Sequence, residues 1–297
     1  MMLTKRLPTI LTDGNTHSLS LLCLLVLLVL ASHAQAESAP ASKATVPKLV
    51  PAPDYFAQQQ SDIKHYLTEV SEVLVGTQSY ALLERKSNTP INKGVVLLLP
   101  DWHDFISPSQ HIAYLEKSFP DLGYSTISIQ PPAKPENYPS IALDEEAQTT
   151  QNKALIDDYL RQLQALMTSV MEKAQAQQGA ILIVSAGSNA GFLTRLFAEQ
   201  KIPEPQALIM LSAHLLTDEN NKLFAQQLSE NEIPTLDMYL KHDNQLVAPN
   251  IALRKQESTR NLKVEFRQHK INNFETGFYP EKAMLGAITG WLTSMGW

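Results

Sequence analysis

Short apolar runs that alternate with longer helical patterns constrain the fold of this 297-residue chain more than any other feature. The predicted strands are residues 80–83, 95–99, 124–129, 180–184, 207–211, 235–240 and 264–266. The predicted helices between and after them are residues 112–119, 143–177, 192–200, 220–228, 250–260 and 281–295. Near-continuous apolar strands are typical of a parallel sheet that is buried on both faces. Because strands and helices alternate, the sequence predicts a three-layer, mostly parallel open sheet.

The segments around these runs carry three further expectations. Residues 55–75 have apolar side chains at three- and four-residue steps, which predicts one amphipathic helix ahead of the sheet. Residues 131–139 are rich in proline and are predicted to form a surface connection. The gap between residues 211 and 235 is too short for a separate lid domain, so none is expected.

The N-terminal segment has the three parts of an export signal. Lys5 and Arg6 precede an apolar run at residues 19–30, and Ala34-Gln35-Ala36 supplies small residues for cleavage. The run is too short to cross a hydrocarbon core of about 30 Å, and an uncleaved anchor is the alternative. The sequence therefore predicts a periplasmic protein that is cleaved after Ala36. Its predicted parts are a signal peptide at 1–36, a flexible leader at 37–53 and one folded domain at 54–297.

Cysteine content and charge exclude several classes of chemistry. Cys23, the only cysteine, lies within the predicted signal peptide. A mature chain without a thiol has no disulfide, cysteine nucleophile or cysteine metal ligand, which suits an oxidising compartment. The formal net charge is −6, and lysine and arginine do not cluster. This pattern argues against nucleic acid or anionic lipid as the main partner, and no cofactor is expected.

A buried strand, a turn of small residues and a helix follow one another at residues 180–192. This pattern is typical of a nucleophile elbow, whose sharp turn exposes one side chain at the edge of the sheet. Alignment on the strand end puts Gly187 at the nucleophile position, whereas alignment on the G-x-S-x-G glycines puts Asn189 there. Ser188 can serve as nucleophile only if the turn is shifted by one residue, and Ser185 is a weaker candidate. The alternative is a structural turn whose serines cap the next helix.

Asp101, Trp102 and His103 follow the apolar run at residues 95–99. When a sheet carries an elbow, this loop supplies a backbone N–H to an oxyanion hole, and its polar and aromatic residues suit a pocket wall. The alternative is a solvated loop with Trp102 folded onto the core.

Asp243 and His269 complete a Ser, Asp, His chain order. Asp243 follows the run 235–240 at the position of a triad acid. His269 fits poorly as the base, because it lies within or at the end of a strand and the expected loop position reads Asn272-Asn273. An asparagine cannot act as a general base near neutral pH. Ser188, Asp243 and His269 are therefore the candidate catalytic residues.

His103, His214 and His242 follow three different parallel strands and would converge on one edge of the sheet. Single histidines without paired ligand spacing are a weak basis for a zinc site, so ordinary loop histidines are favoured and no metal is predicted. The residues predicted to line a pocket at this edge are Asp101, Trp102, His103, Gly187, Asn189, His214 and Asn273.

Five segments carry a resemblance to a known family through their order and spacing. They are GVVLLLPDWH at 94–103, LGYSTISIQP at 122–131, the small-residue elbow, IPTLDMY at 233–239 and GWL at 290–292. Together they resemble an uncharacterised, exported α/β-hydrolase-like family of gammaproteobacteria, a domain of unknown function. The resemblance implies an α/β-hydrolase-like open sheet without a separate lid domain, but it does not imply an activity because fold does not fix function.

Two function classes follow from these observations. The favoured class is an exported hydrolase-like protein, degenerate at the catalytic triad, that binds a small molecule or an envelope partner in the crevice at the strand ends. The alternative is a weak serine hydrolase of the esterase or acyl-hydrolase type, with Ser188 as nucleophile, His269 as base and Asp243 as acid. The sequence identifies neither the ligand nor the oligomeric state.

Overall fold

A computed structural model describes residues 58, 63, 69–104 and 110–297. The predicted signal peptide with Cys23, the cleavage site after Ala36, the leader and the start of the domain at residue 54 lie outside these residues. Within the described ranges, every helix is too short or too polar to cross a membrane.

The described residues form one sheet of eight strands with the order β1-β2-β4-β3-β5-β6-β7-β8. The strands are β1 Glu69–Val75, β2 Gln78–Arg85, β3 Gly94–Leu99, β4 Tyr124–Ile129, β5 Ala180–Ala186, β6 Ala207–Leu211, β7 Thr235–Leu240 and β8 Phe266–Ile271. β2 is antiparallel to both β1 and β4, and all other neighbours are parallel. The predicted open, mostly parallel sheet is confirmed.

Six α-helices are continuous in the part of the chain that the structure describes, and they cover both faces of the sheet. They are α1 Gln110–Ser118, α2 Glu145–Gln175, α3 Gly187–Ala198, α4 Asp218–Glu230, α5 Ala248–Arg260 and α6 Glu281–Ser294. Alternate residues of β3 enter two separate apolar cores. Leu97 packs with residues of α2, α3 and α4, whereas Leu98 packs with residues of α1 and α6. The three-layer architecture is therefore confirmed.

The predicted helix at residues 55–75 is wrong at its C-terminal end. Gln58 and Ile63 are helical, but Glu69–Val75 forms β1 and pairs with β2 along its whole length. The side chains of β1 alternate between exposed and half-buried from Val70 onward, which is the period of a strand. The helical spacing of its valines was coincidental, and pairing with β2 decided the structure.

Two other predictions also need correction. The strand predicted at 264–266 begins only at Phe266 and runs to Ile271, because a strand at the edge of a sheet tolerates polar and charged side chains that hide its pattern. The proline-rich stretch at 131–139 is not purely a surface connection, since Pro131, Pro132 and Tyr138 are buried.

Candidate functional site

A cavity of about 400 Å³ opens where the loops that follow β3, β5, β6 and β7 meet. Its lining includes Asp101, Trp102, His103, Ser188 and His214, all of which the sequence placed around one opening, whereas Gly187 and Asp243, also predicted there, are not among the lining residues. The remaining lining residues are Lys134, Tyr138, Pro139, Leu216, Asn244 and Leu246. Trp102, Tyr138, Ser188 and His214 are buried, whereas His103 and Pro139 are exposed. The cavity therefore has a buried floor and an exposed rim.

The elbow turns at Gly187. β5 ends at Ala186, α3 begins at Gly187, and Gly187 has a left-handed φ of 55°. A Cβ at this position would lie 2.6 Å from Oδ2 and 2.7 Å from Oδ1 of Asp101, which is too close for any side chain. Glycine is required here both for the backbone conformation and for the space that Asp101 fills. The alignment on the strand end is thus the one that the structure supports.

The Asp101 carboxylate occupies the position of an oxyanion. Its Oδ1 accepts the backbone N–H of Trp102 and the backbone N–H of Ser188, each at 2.9 Å. In a hydrolase elbow, the oxyanion hole is made by the N–H after the nucleophile and by an N–H from the loop after the neighbouring strand. Ser188 and Trp102 hold these two places. One carboxylate therefore fills both the place of a nucleophile side chain and the anion hole.

The sequence placed Asp101 in a pocket wall but did not predict this role. The signal that was available is the combination of glycine at the nucleophile position with an acidic residue in the oxyanion loop. The other oxygen, Oδ2, lies 3.4 Å from Nδ1 of His103.

The two other candidates in the elbow are buried and do not line the cavity. Ser185 is fully buried within β5, and its Oγ has no hydrogen-bond partner among the described residues. Asn189 was predicted to line the pocket, but it is fully buried. Its Oδ1 accepts from Tyr159 Oη at 2.6 Å, and its Nδ2 donates to the carbonyl oxygen of Pro100 at 2.7 Å. Asn189 thus anchors α3 to the loop after β3.

Trp102 combines both roles that the sequence left open. Its ring is 4% exposed and packs edge-on against Tyr138, Tyr159 and Phe192, with ring centroids 5.0–5.5 Å apart. The same ring also contributes to the lining of the cavity.

Asp243 is held in a hydrogen-bond network at the end of β7. Its Oδ2 accepts from Ser212 Oγ at 2.8 Å and from the N–H of Leu240 at 2.8 Å, and its Oδ1 accepts from the N–H of Asn244 at 2.7 Å. Tyr279 Oη lies 2.7 Å from Ser212 Oγ and 3.2 Å from the carbonyl oxygen of Met238, and because the Ser212 proton goes to Asp243, the Tyr279 proton is shared between these two acceptors. Burial, reinforced by the Asp243 charge, raises the pKa of Tyr279 well above its usual range, so Tyr279 remains a donor.

Neither the candidate base His269 nor Asn273, which stands at the usual base position, lines the cavity. Asn273 is 3% exposed and joins the loops after β7 and β8, because its Oδ1 accepts from the His242 N–H and its Nδ2 donates to the His242 carbonyl oxygen, both at 2.8 Å. Asn273 was predicted to line the pocket and instead pins these loops together. His269 lies within β8, opposite Met238, with its side chain exposed.

His214 is the histidine that the structure places on the buried floor. Its Nδ1 lies 2.9 Å from the carbonyl oxygen of Ser212. A carbonyl oxygen can only accept, so Nδ1 carries a proton, and in the tautomer with this one ring proton Nε2 is an acceptor. The backbone N–H of His214 also donates to the carbonyl oxygen of Gly187 at 3.4 Å, which ties this loop to the elbow.

A buried ion pair that was not apparent from the sequence supports the loop that carries His214. Arg254 Nε and Nη2 bind the two carboxylate oxygens of Asp237 at 2.8 and 3.2 Å, and both side chains are fully buried. Arg254 Nη1 donates to the carbonyl oxygen of Ala213 at 3.0 Å. Because both side chains are buried, removing either partner would leave an unpaired charge in the interior and strongly destabilise the folded state.

The histidines raised as metal ligands are only partly brought together. His103 and His214 share the cavity, but His242 is exposed and its backbone pairs with Asn273. Among the described residues, no three His, Cys, Asp or Glu side chains are arranged to hold a metal ion.

The match to a family model covers residues 18–294, and the family is described as a protein of unknown function (DUF3530). The chain belongs to this family. No curated protein sequence matches the chain.

Solved structures with similar folds include several α/β hydrolases. Dienelactone hydrolase from Anabaena variabilis has a TM-score of 0.53 at 16% identity, covering 76% of this chain and 97% of its own. An alpha-beta serine hydrolase homologue from Coxiella burnetii has a TM-score of 0.51 at 15% identity, covering 75% and 97%. Est1E from Butyrivibrio proteoclasticus has a TM-score of 0.54 at 11% identity, covering 76% and 98%. At these identities, the similarity establishes the α/β-hydrolase fold of this DUF3530 member.

Proposed function

We propose that this chain is an exported, non-catalytic protein of the α/β-hydrolase fold that binds a small molecule in the cavity at the strand ends. The observation that carries the proposal is the position of the Asp101 carboxylate. It overlaps the site of a side chain at Gly187 and accepts both backbone N–H groups of the anion hole.

This arrangement opposes acyl hydrolysis in two ways. A nucleophile at the elbow is absent, because Gly187 stands at the turn and a larger residue would overlap Asp101. A tetrahedral intermediate also needs the two N–H groups for its own oxyanion, and a resident carboxylate both occupies them and repels a second anion. A hydrolase that lacks its nucleophile retains only the contribution of the anion hole, and here the hole is filled as well.

A serine hydrolase that uses Ser188 is the second candidate function, and one observation favours it. Ser188 lines the cavity together with His214, whose Nε2 is an acceptor. In this function His214 would serve as base in place of His269, and Asp101 would have to leave the anion hole before an acyl group could bind.

A fluorophosphonate probe separates the two functions. We expect no labelling of the wild-type protein, and we expect any weak turnover of a short-chain ester to persist in Ser188→Ala. Ser294→Ala in α6 is the matched control. Labelling at Ser188, with saturable turnover that disappears in Ser188→Ala and in either His214→Gln or His269→Gln while those variants stay folded, would establish the hydrolase instead.

Export has its own test. The charged start, the short apolar run at 19–30 and Ala34-Gln35-Ala36 motivate it. N-terminal sequencing of protein recovered from the periplasm should begin at Glu37. A mature chain that keeps residues 19–30 and sediments with membranes would refute a cleaved signal peptide.

A further inference from the structure

The floor of the cavity is rich in hydrogen-bond acceptors. Asp101 Oδ1 is engaged by two N–H groups, whereas the one contact of Oδ2 with another side chain in the described part of the chain is 3.4 Å from His103 Nδ1; Oδ2 therefore keeps capacity to accept, since a carboxylate offers about four lone-pair sites. His214 adds an imidazole whose Nε2 is the acceptor, and Ser188 adds a hydroxyl. These acceptors favour a ligand group that carries hydrogen-bond donors.

The walls around these acceptors are apolar and aromatic. Trp102 and Tyr138 are buried ring systems, and Leu216 and Leu246 lie in the loops after β6 and β7. Aromatic faces attract an organic cation through their quadrupole, in addition to the area that they bury. The volume of about 400 Å³ suits a small molecule with one ring or a short apolar chain.

We infer that the cavity binds a protonated organic amine carried on an apolar or aromatic body, with the ammonium group at Asp101. This inference rests on the proposed binding function and names its ligand class. In a hydrolase this position presents two N–H donors to a negative oxygen, whereas here the carboxylate has taken those donors and presents a negative charge to the ligand. The polarity of the recognition site is thereby reversed.

Lys134 is the charged lining residue that works against this ligand. It is half-buried in the segment between β4 and α2. If an ammonium group is bound, removal of the lysine charge should leave its affinity unchanged or raise it, because like charges repel. If the natural ligand were an anion, Lys134 would instead be required for binding. The direction of the affinity change on removal of the Lys134 charge therefore distinguishes a cationic ligand from an anionic one.

Three probes of similar shape test the inference on the mature full-length protein. They are 2-phenylethylamine, which is a cation at neutral pH, the neutral 2-phenylethanol and the anionic 3-phenylpropionate. Isothermal titration calorimetry, or NMR titration for weak binding, should show saturable binding of the amine and at least about tenfold weaker binding of the carboxylate. A hydrogen bond to a charged group contributes enough to produce a change of about this size.

Asp101→Asn is the informative variant. The amide oxygen can still accept from the N–H groups of Trp102 and Ser188, so the side chain still fills the anion hole while the charge is lost. We expect the amine to bind about tenfold more weakly and the alcohol to change little. Asp158→Asn, an exposed carboxylate on α2, is the matched control and should change neither affinity. Lys134→Ala should bind the amine at least as tightly as the wild-type protein.

Several results would overturn the inference. One is binding of 3-phenylpropionate in preference to the amine, with loss in Lys134→Ala; this leaves the proposed binding function intact with an anionic ligand. Another is amine affinity that does not change in Asp101→Asn, and a third is absence of saturable binding by all three probes. Fluorophosphonate labelling at Ser188 is a separate outcome, because it refutes the non-catalytic function.

Discussion

Replacing Gly187 with alanine should destabilise this protein far more than a typical glycine substitution. The left-handed φ of 55° costs a residue with a side chain about 1–2 kcal/mol. The new Cβ would also lie within 2.7 Å of both Asp101 carboxylate oxygens, so the carboxylate must leave the N–H groups of Trp102 and Ser188. Loss of two hydrogen bonds to a charged acceptor costs at least about 3 kcal/mol. The total expected loss is about 4–5 kcal/mol.

A double-mutant cycle with Asp101→Ala separates the two contributions. Asp101→Ala alone should cost at least about 3 kcal/mol, because it removes the same two hydrogen bonds and leaves both N–H groups without their acceptor. In that background, Gly187→Ala has no carboxylate to displace, so only the backbone strain of about 1–2 kcal/mol remains. The two substitutions should therefore be coupled by about 3 kcal/mol, well above the error expected for independent sites.

Guanidinium denaturation of the four proteins, followed by tryptophan fluorescence and far-UV circular dichroism, measures each free energy of unfolding. Gly290→Ala in α6 is the control, since a Cβ there meets no atom within 4 Å and should be neutral or slightly stabilising. If Gly187→Ala costs the same in both backgrounds, the Asp101 carboxylate does not fill the site of the missing side chain, and the proposed coupling between Asp101 and Gly187 is wrong.

Three further predictions concern the buried ion pair, a leucine of the core and the pH dependence of stability. Arg254→Met should cost about 3–5 kcal/mol in denaturant because it leaves the Asp237 charge buried without its cationic partner, and adding Asp237→Leu should recover part of the loss; no recovery would contradict this account. Leu182→Ala should cost about 2–5 kcal/mol, and an unchanged denaturation midpoint would argue against a central position for β5. Burial lowers the pKa of His111 from 6.5 to about 4, so the unfolded chain binds a proton that the folded protein excludes between those values. Stability should fall as the pH drops from about 6.5 to about 4, by roughly 3 kcal/mol at most, and the decline should be shallower in His111→Asn; equal declines would contradict the assignment.

The central strands were predictable because their sequence pattern and their environment agree. β4, β6 and β7 have the predicted bounds, since strands between two layers of helices are apolar on both faces. β1 and β8 lie at the two ends of the sheet, where one side of the strand has no neighbour among the described strands and the apolar pattern is weak. The helix predicted in place of β1 and the wrong bounds predicted for β8 both follow from this weak apolar pattern.

The site was predictable only as a set of loops. The rule that ligands gather at the carboxyl ends of parallel strands brought Trp102, His103, Ser188 and His214 to one cavity. It did not indicate which polar groups bond to one another, because those contacts depend on side-chain conformations between loops that are distant in sequence. The bond from Ser188 to Asp101 is such a contact, and so is the pairing of Arg254 with Asp237.

The buried Arg254–Asp237 pair has a consequence for motion. It connects α5 to β7 and to the loop before His214, and Gln268 Nε2 of β8 donates to the same Asp237 carboxylate at 2.9 Å. Local opening of that loop would expose a dry ion pair, so its amide protons should exchange with solvent only when the sheet itself opens. The segment before α2 is held by hydrogen bonds between neutral groups, for example from the Ser140 N–H to Asn152 Oδ1 at 2.7 Å. Any change in the shape of the cavity when a ligand enters should therefore come from this segment, while the wall that carries His214 stays fixed.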